Sequence, residues 1–244
     1  MRIAIISDIH GNLAALDAVL ANISRRGADA TVNLGDLLSG ALRPAETADR
    51  LMALDLPTIR GNHERQLLTF EPGRMGYSDR HAAEAIDHRQ REWLAGLPET
   101  LCLFDDVLLV HGTPGSDLTY FLETVEPTGC RPATEAEIAA RAGDADASLI
   151  LCGHTHIPRS VRLADGRRIV NPGSVGLQAF RDDHVHPHSM ETGSPHARYA
   201  MVERTGEGWS VDLLEVSYDW EGAAALAEAN GQPEWARALR TGRV

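Results

Sequence analysis

The sequence lacks the excess of basic residues that proteins binding long nucleic acids usually carry. Its 35 acidic residues outnumber its 23 basic residues, and the formal net charge is −12 at pH 7. Because proteins of that class neutralise backbone phosphates with basic side chains, the composition disfavours a DNA or RNA polymer as a partner. Bound metal ions would still supply local positive charge for a small anion without changing this count.

Cysteines are few, and long apolar runs are absent. The three cysteines, Cys102, Cys130 and Cys152, match no zinc-binding or redox spacing, and we therefore expect a reducing, cytoplasmic compartment. The apolar run at residues 3–6 is too short for a signal peptide, and no run approaches a membrane span. Without repeats, linkers or low-complexity tracts, residues 1–244 are expected to form a single domain. The composition leaves the oligomeric state open.

The sequence does contain alternating strand-like and helix-like segments over its first two-thirds. Short apolar runs predict buried strands, and the helical spacing of apolar residues from Leu13 to Ile23, closed by Gly27, predicts a helix. Parallel units followed by an antiparallel section predict an α/β fold with two sheets packed on each other and flanked by helices. The predicted strands span residues 3–7, 30–34, 57–59, 101–103, 107–110, 148–152, 199–203 and 209–216, and residues 161–170 are predicted to form a hairpin that turns at Asp165-Gly166. The predicted terminal helices span residues 220–229 and 233–239.

Five polar clusters each follow one of the predicted strands. Residues two apart on an extended segment point to the same side, so Asp8 and His10 can face one metal ion. Ligand sites in open α/β sheets form beyond the carboxyl ends of the strands, and we therefore expect the clusters to converge. The clusters are Asp8-Ile9-His10-Gly11-Asn12, Gly35-Asp36, Gly61-Asn62-His63-Glu64, His111-Gly112 and Gly153-His154-Thr155-His156.

Together the clusters offer more metal ligands than one ion needs. Oxygen and imidazole ligands without thiolate suit manganese, iron or zinc. A single tetrahedral site uses three or four side chains, so this set favours two adjacent ions that share one carboxylate. Each cluster alone has a simpler explanation as an ordinary turn or a satisfied polar corner, but all five in order favour a metal site. The ligand candidates are Asp8, His10, Asp36, Asn62, His111, His154 and His156.

In this order the motifs resemble the signature of the calcineurin-like metallophosphoesterase superfamily, and most of all its small bacterial phosphodiesterases. The resemblance covers almost the whole chain and implies a four-layer αββα sandwich with two mixed β-sheets packed face to face. It implies two transition-metal ions, with manganese favoured. By that resemblance the first ion is bound by Asp8, His10, Asp36 and His156. The second is bound by Asp36, Asn62, His111 and His154, with Asp36 bridging the two.

The resemblance also implies hydrolysis of phosphate esters in small soluble substrates, by a phosphodiesterase or a nucleotide phosphohydrolase. In the expected mechanism the metal ions lower the pKa of a shared water, which attacks phosphorus. Asn62 helps to neutralise the phosphate oxygens, and His63, beside the metals, donates a proton to the leaving group. Glu64 is expected to orient neighbouring groups.

One departure from the family pattern bears on the substrate. Many relatives continue the second motif as Gly-Asp-x-x-Asp-Arg, whereas Ser39 and Gly40 occupy the last two positions here. The alternative function of a protein serine/threonine phosphatase is therefore disfavoured. Arg43 or Arg60 are alternatives for the missing phosphate-binding arginine, although a structural ion pair explains Arg60 equally well. A non-catalytic metal-binding scaffold is a further alternative, opposed by the retention of His63.

A histidine-rich segment at residues 182–196 lies outside these motifs. Its composition favours a flexible surface loop. The alternative is a lid or a segment that contacts the substrate, because it follows the turn at residues 171–176 closely.

Overall fold

Alternating helices and strands in the first part of the chain give way to antiparallel hairpins in the second. The computed structural model describes residues 1–244. The helices are α1 (Leu13–Arg26), α2 (Pro44–Leu54), α3 (Asn62–Thr69), α4 (Tyr77–Ala85), α5 (His88–Gly96), α6 (Glu135–Ala142), α7 (Trp220–Ala229) and α8 (Pro233–Thr241), with a 3-10 turn at Pro72–Arg74. The strands are β1 (Arg2–Ile6), β2 (Ala30–Asn33), β3 (Leu101–Leu103), β4 (Val107–Leu109), β5 (Glu123–Glu126), β6 (Gly129–Pro132), β7 (Leu149–Leu151), β8 (Arg159–Arg162), β9 (Arg168–Asn171), β10 (Ala179–Asp182), β11 (His188–Glu191), β12 (Ala197–Thr205) and β13 (Gly208–Val216).

Most of the strands assemble into two mixed sheets. The first has four strands in the order β13-β12-β1-β2, and only the β1–β2 pair is parallel. The second has five strands in the order β3-β4-β7-β9-β8, with parallel pairing in its centre and antiparallel pairing at both edges. The predicted architecture of two mixed sheets is confirmed.

The sheets pack face to face through alternate side chains of their strands. Ile3 and Ile5 of β1 share one buried apolar cluster with Leu149 and Leu151 of β7. Because successive side chains of a strand point to opposite faces, the residues between them face outward toward helices. The sheet-to-sheet core therefore fixes how the carboxyl ends of β1 and β7 lie relative to each other.

Helices cover the outer faces of both sheets. On the first sheet, Ile6 is buried in a cluster with Leu16 of α1. On the second, Ile150 and Ile169 are buried with Ile138 of α6. The order of layers is thus helix, sheet, sheet, helix, as the family resemblance implies.

Local capping sets where α1 begins and ends. The Asn12 side chain accepts a hydrogen bond from the Ala15 amide at 3.1 Å, which satisfies one of the free amides of the first turn. At the other end Gly27 has a φ of 74° and donates its amide to the Ile23 carbonyl. Because Asn12 is both the last residue of the first polar cluster and the N-cap of α1, the helix start fixes the position of that cluster after β1.

Two expectations about secondary structure are wrong. Residues 57–59 form no strand, only a single parallel bridge between Thr58 and Asn33, because Pro57 has no amide to donate to a ladder. The histidine-rich segment is not a loop throughout, since β10 and β11 pair as an antiparallel hairpin in which His188 is buried. None of the helices combines the length and the apolar character needed to span a membrane.

Candidate metal centre

The loops after β1, β2, β4 and β7 meet at one edge of the sandwich. They form two groups of buried side chains, and in each group the potential ligand atoms lie within 4.8 Å of one another. Asn62, at the start of α3, adjoins the second group through its Oδ1, which lies 3.1 Å from His111 Nε2. All seven ligand candidates from the sequence are thereby brought together. The two groups are Asp8, His10, His156 and Asp36, His111, His154.

Five of these residues have an unusual backbone conformation. Their φ angles lie in the left-handed region, which is costly for residues other than glycine, by about 1–3 kcal/mol each. The surrounding fold must therefore hold them in place, and such strain is concentrated at functional sites. The angles are 54° for Asp8, 51° for His10, 55° for Asp36, 68° for His154 and 60° for His156.

Two glycines allow the loops to approach one another closely. A Cβ atom on Gly61 would overlap the carboxylate of Asp36, and a Cβ atom on Gly153 would overlap the hydroxyl of Ser7. Only glycine fits at such points. Gly61 and Gly153 are therefore part of the geometry that brings the motifs together.

The buried carboxylate of Glu64 ties two of the loops to each other. It accepts hydrogen bonds from the amides of Asp36 at 2.9 Å, Leu37 at 2.8 Å and Gly61 at 2.9 Å. Burial and the neighbouring charge of Asp36 raise the pKa of Glu64. These three bonds set the position of the Asp36 backbone, in agreement with the orienting role expected for Glu64.

Backbone carbonyls orient the four imidazoles of the two groups. A carbonyl oxygen only accepts, so the ring nitrogen facing it carries a proton and the other ring nitrogen faces the site, where it can bind a metal ion when the ring is neutral. His154 donates from Nε2 and the other three donate from Nδ1. The bonds run from His10 to Ser39 at 2.7 Å, from His111 to Leu34 at 2.8 Å, from His154 to Leu118 at 3.2 Å and from His156 to Leu177 at 2.6 Å.

In the first group, two ring nitrogens and a carboxylate oxygen face one another. Nε2 of His10 and Nε2 of His156 are 3.0 Å apart, and Oδ2 of Asp8 is buried without any hydrogen-bond partner. Burial and the nearby His156 lower the pKa of His10 to about 3, so this ring holds no second proton. Facing acceptors and an unpartnered buried oxygen are costly unless a cation lies among them. The donor set therefore fits a metal ion.

The second group also calls for a positive charge. Oδ2 of Asp36 lies 3.1 Å from Nε2 of His111. Burial lowers the pKa of His111, but the charge of Asp36 outweighs this effect and raises it to about 10. Burial and the neighbouring His111 lower the pKa of His154 to about 4, which leaves His154 neutral, as a metal ligand must be. A proton or a metal ion between Nε2 of His111 and Oδ2 of Asp36 would compensate the buried negative charge of the carboxylate.

His63 lies beside both groups and belongs to neither. Its Nδ1 is 2.7 Å from Oδ1 of Asp79, and its ring centroid is 5.4 Å from that of His10. Burial lowers the pKa of His63, but the charge of Asp36 and the bond to Asp79 raise it to about 9. Sequence analysis missed Asp79, because it belongs to no motif and nothing distinguishes it from the polar residues around it.

A cavity of about 470 Å³ opens over the two groups. Phe180 of β10 and Trp235 of α8 line it, with ring centroids 4.6 Å from that of His156 and 6.0 Å from that of His10 respectively. Neither aromatic residue belongs to one of the five polar clusters, so sequence analysis did not identify them as part of the site. Polar residues also line the cavity, among them His63, Gln66 and Ser78.

The two arginines considered for phosphate binding lie outside this cavity. Arg43 pairs with Glu46 on the surface at 3.2 Å, and Arg60 pairs with Glu99. Neither side chain is part of the lining. Arg181 of β10 is the one arginine that lines the cavity.

Comparisons with known proteins agree with this geometry. A family model described as the calcineurin-like phosphoesterase superfamily domain matches residues 1–193. An uncharacterized protein from Methanocaldococcus jannaschii is 27% identical over 246 residues, which cover 96% of this chain and 94% of that protein. The crystal structure of a metallophosphoesterase from Sphaerobacter thermophilus superposes with a TM-score of 0.76 at 25% identity, covering 99% of this chain and all of the other.

Proposed function

The chain belongs to the calcineurin-like phosphoesterase superfamily and is a hydrolase of phosphate esters, and we propose that it cleaves small soluble phosphodiesters or nucleotides with the help of two metal ions. One observation carries this proposal. Two adjacent groups of buried ligands present lone pairs and an unpartnered carboxylate oxygen to a common space that opens into a cavity.

The ligand sets follow from the two groups. The first ion is assigned to Asp8, His10 and His156, and the second to His111, His154 and Asn62. Asp36 would bind both ions in this assignment, because its negative charge acts on His10 of the first group as well as on His111 of the second. Oxygen and imidazole donors without thiolate favour manganese, with iron and zinc as alternatives.

When bound, the metal ions supply a water of lowered pKa as the nucleophile and positive charge for the phosphate oxygens. Asn62 lines the cavity and is placed to contact the same oxygens. His63 is held by Asp79 through Nδ1, so its Nε2 is free to donate a proton to the leaving oxygen. The Asp79 carboxylate fixes the ring in this orientation.

The shape of the cavity supports a small substrate. Its volume lies within the range of about 300–1,000 Å³ that is common for small-molecule sites. Ser39 and Gly40 are buried where many relatives carry the Asp-Arg pair, so no arginine extends from that loop toward a phosphoprotein. The complete ligand set and His63 favour an enzyme over the scaffold hypothesis.

Metal reconstitution tests the proposed function. The protein is stripped with a chelator, reloaded separately with manganese, iron and zinc, and assayed on bis(4-nitrophenyl) phosphate, nucleotides and a phosphopeptide. We expect about two ions per chain by elemental analysis, the greatest turnover with manganese, and faster cleavage of diesters or nucleotides than of the phosphopeptide. Full turnover by the metal-free protein, or preference for the phosphopeptide, would contradict the proposal.

A further inference from the structure

Arg181 is the only permanently cationic side chain in the cavity lining. The chain contains no lysine, so every cationic contact to a substrate has to come from arginine, histidine or metal ions. Of the arginines, Arg181 alone lines the cavity over the candidate metal centre. An anionic substrate that enters this cavity therefore meets one guanidinium before it reaches the centre.

The hairpin that carries Arg181 is fixed to both metal groups. Next to Arg181, Phe180 packs its ring against that of His156. On the other strand of the hairpin, His188 Nε2 lies 2.9 Å from the hydroxyl of Tyr120, whose ring packs at 5.0 Å from that of His154. The hairpin therefore presents Arg181 from a wall whose position is tied to the ligands themselves.

The guanidinium of Arg181 lies at the rim of the cavity, and its ion-pair partner is readily exchanged for another anion. Its Nη1 is 3.5 Å from Oε1 of Glu234, which also lines the cavity. The two side chains are 55% and 80% exposed, so their ion pair contributes little. A phosphate can replace Glu234, because it offers the guanidinium two parallel charge-assisted hydrogen bonds.

The chain neighbours of Arg181 and Glu234 pack against two of the candidate metal ligands. Trp235 follows Glu234 in α8 and packs toward His10, and Phe180 precedes Arg181 and packs on His156. The Arg181–Glu234 pair is exposed, whereas the candidate metal ligands are buried. A group bound by the Arg181 guanidinium therefore lies farther out in the cavity than a phosphate at the metals, as the next charged group along the substrate would.

We propose that Arg181 binds a second phosphate of the substrate, which makes it the residue that selects compounds with two or more phosphate groups. This inference rests on the proposed function, since it assumes that the first phosphate binds at the metal centre. The aromatic faces of Phe180 and Trp235 beside it suit a nucleoside as the remaining part of the substrate. Nucleoside diphosphates and polyphosphates combine these features.

Binding of matched analogues tests the role of Arg181. Calorimetry on the manganese-loaded protein compares non-hydrolysable phosphonate analogues of AMP and ADP, which differ by one phosphate. Two charge-assisted bonds to a second phosphate predict that the ADP analogue binds at least about tenfold more tightly. In Arg181→Ala we expect this preference to fall below about threefold, with Arg181→Lys intermediate because lysine lacks the planar fork.

Arg243→Ala is the matched control. Arg243 forms an exposed ion pair with Glu191 of the same hairpin at 3.6 Å but does not line the cavity, so its removal is expected to leave the preference intact. Elemental analysis should give equal metal content in all variants. A preference that persists in Arg181→Ala, or one that is absent from the unmodified protein, overturns the inference. Hydrolysis of bis(4-nitrophenyl) phosphate, which has no second phosphate, reports on the proposed function separately.

Discussion

His63 differs from the other histidines of the centre in its exposure and in its partner. Its side chain is 27% exposed, and it bonds to a carboxylate rather than to a backbone carbonyl. We expect His63→Ala to lower kcat by about 10²–10⁴-fold, the usual contribution of a general acid, with metal content unchanged. The loss should be larger for a substrate with an alkyl leaving group than for one that releases 4-nitrophenol, because a good leaving group needs little protonation.

His88 provides the control for this prediction. It lies at the start of α5, and its side chain is 85% exposed. Turnover of His88→Ala should equal that of the unmodified protein. Equal losses for both leaving groups in His63→Ala would assign the residue a role in binding rather than in proton transfer.

Glu64 would affect metal binding only through the backbone amides that it binds. In the unmodified protein, both carboxylate oxygens of Glu64 accept hydrogen bonds from the backbone amides of Asp36, Leu37 and Gly61. Glu64→Gln replaces one of these oxygens by an NH2 group, which cannot accept, so at least one of the three bonds is lost. Metal affinity should fall by about 10–100-fold, the effect seen when a group that orients ligands is changed. A chelator-competition titration measures the affinity, with the exposed Glu84→Gln as control. An unchanged affinity would make Glu64 a purely structural residue.

The ligand residues were predictable from the sequence, but their supporting contacts were not. Asp8, Asp36 and His154 stand in short motifs directly after apolar runs, and this local pattern is sufficient to find them. Asp79 and Arg181 reach the site only through tertiary packing, and neither belongs to a recognisable motif. The left-handed backbone at the candidate ligands was not predictable either, because an aspartate or a histidine in the sequence does not indicate a positive φ.

At the scale of the elements, the predictability of a strand depends on how it is buried. β1 and β7 are buried on both faces, so their sequences are continuous apolar runs that mark them clearly. The hairpins β5–β6 and β10–β11 were not predicted, because their strands mix polar and apolar residues and contain no apolar run. Tertiary contacts to the site, rather than local sequence preference, hold the second hairpin in place.

The hydroxyl of Tyr120 is one of those contacts. Removing it in Tyr120→Phe leaves Nε2 of the buried His188 without its partner, at a cost of about 1–3 kcal/mol. Amide hydrogen exchange over residues 179–191 should therefore become faster, while exchange in β1 and β7 stays unchanged. Tyr77→Phe is the matched control, since the hydrogen bond that it removes goes to the Asn230 carbonyl and not to the hairpin. If both variants affect the hairpin equally, Tyr120 is not its anchor.

At the scale of the whole molecule, the centre joins the two sheets. Asp8 and Asp36 follow strands of the first sheet, whereas His111 and His154 follow strands of the second. The amide of His154 donates to Oδ1 of Asp8 at 3.1 Å, which links the two sheets directly. Metal ions bound by both sets of ligands would add further links, so occupancy of the centre and stability of the sandwich should be coupled.

Thermal unfolding tests this coupling. An ion that binds only the folded chain stabilises it by about 2.7 kcal/mol at a free concentration 100 times its Kd, so adding manganese to the stripped protein should raise Tm by several degrees. Asp36→Asn should abolish most of this rise, because the proposed bridge serves both ions and an amide lacks the negative charge. In the exposed control Asp212→Asn, the rise should be complete. An equal manganese-dependent rise in all three proteins would mean that the ions bind elsewhere on this acidic surface, and that the two groups of ligands do not share Asp36.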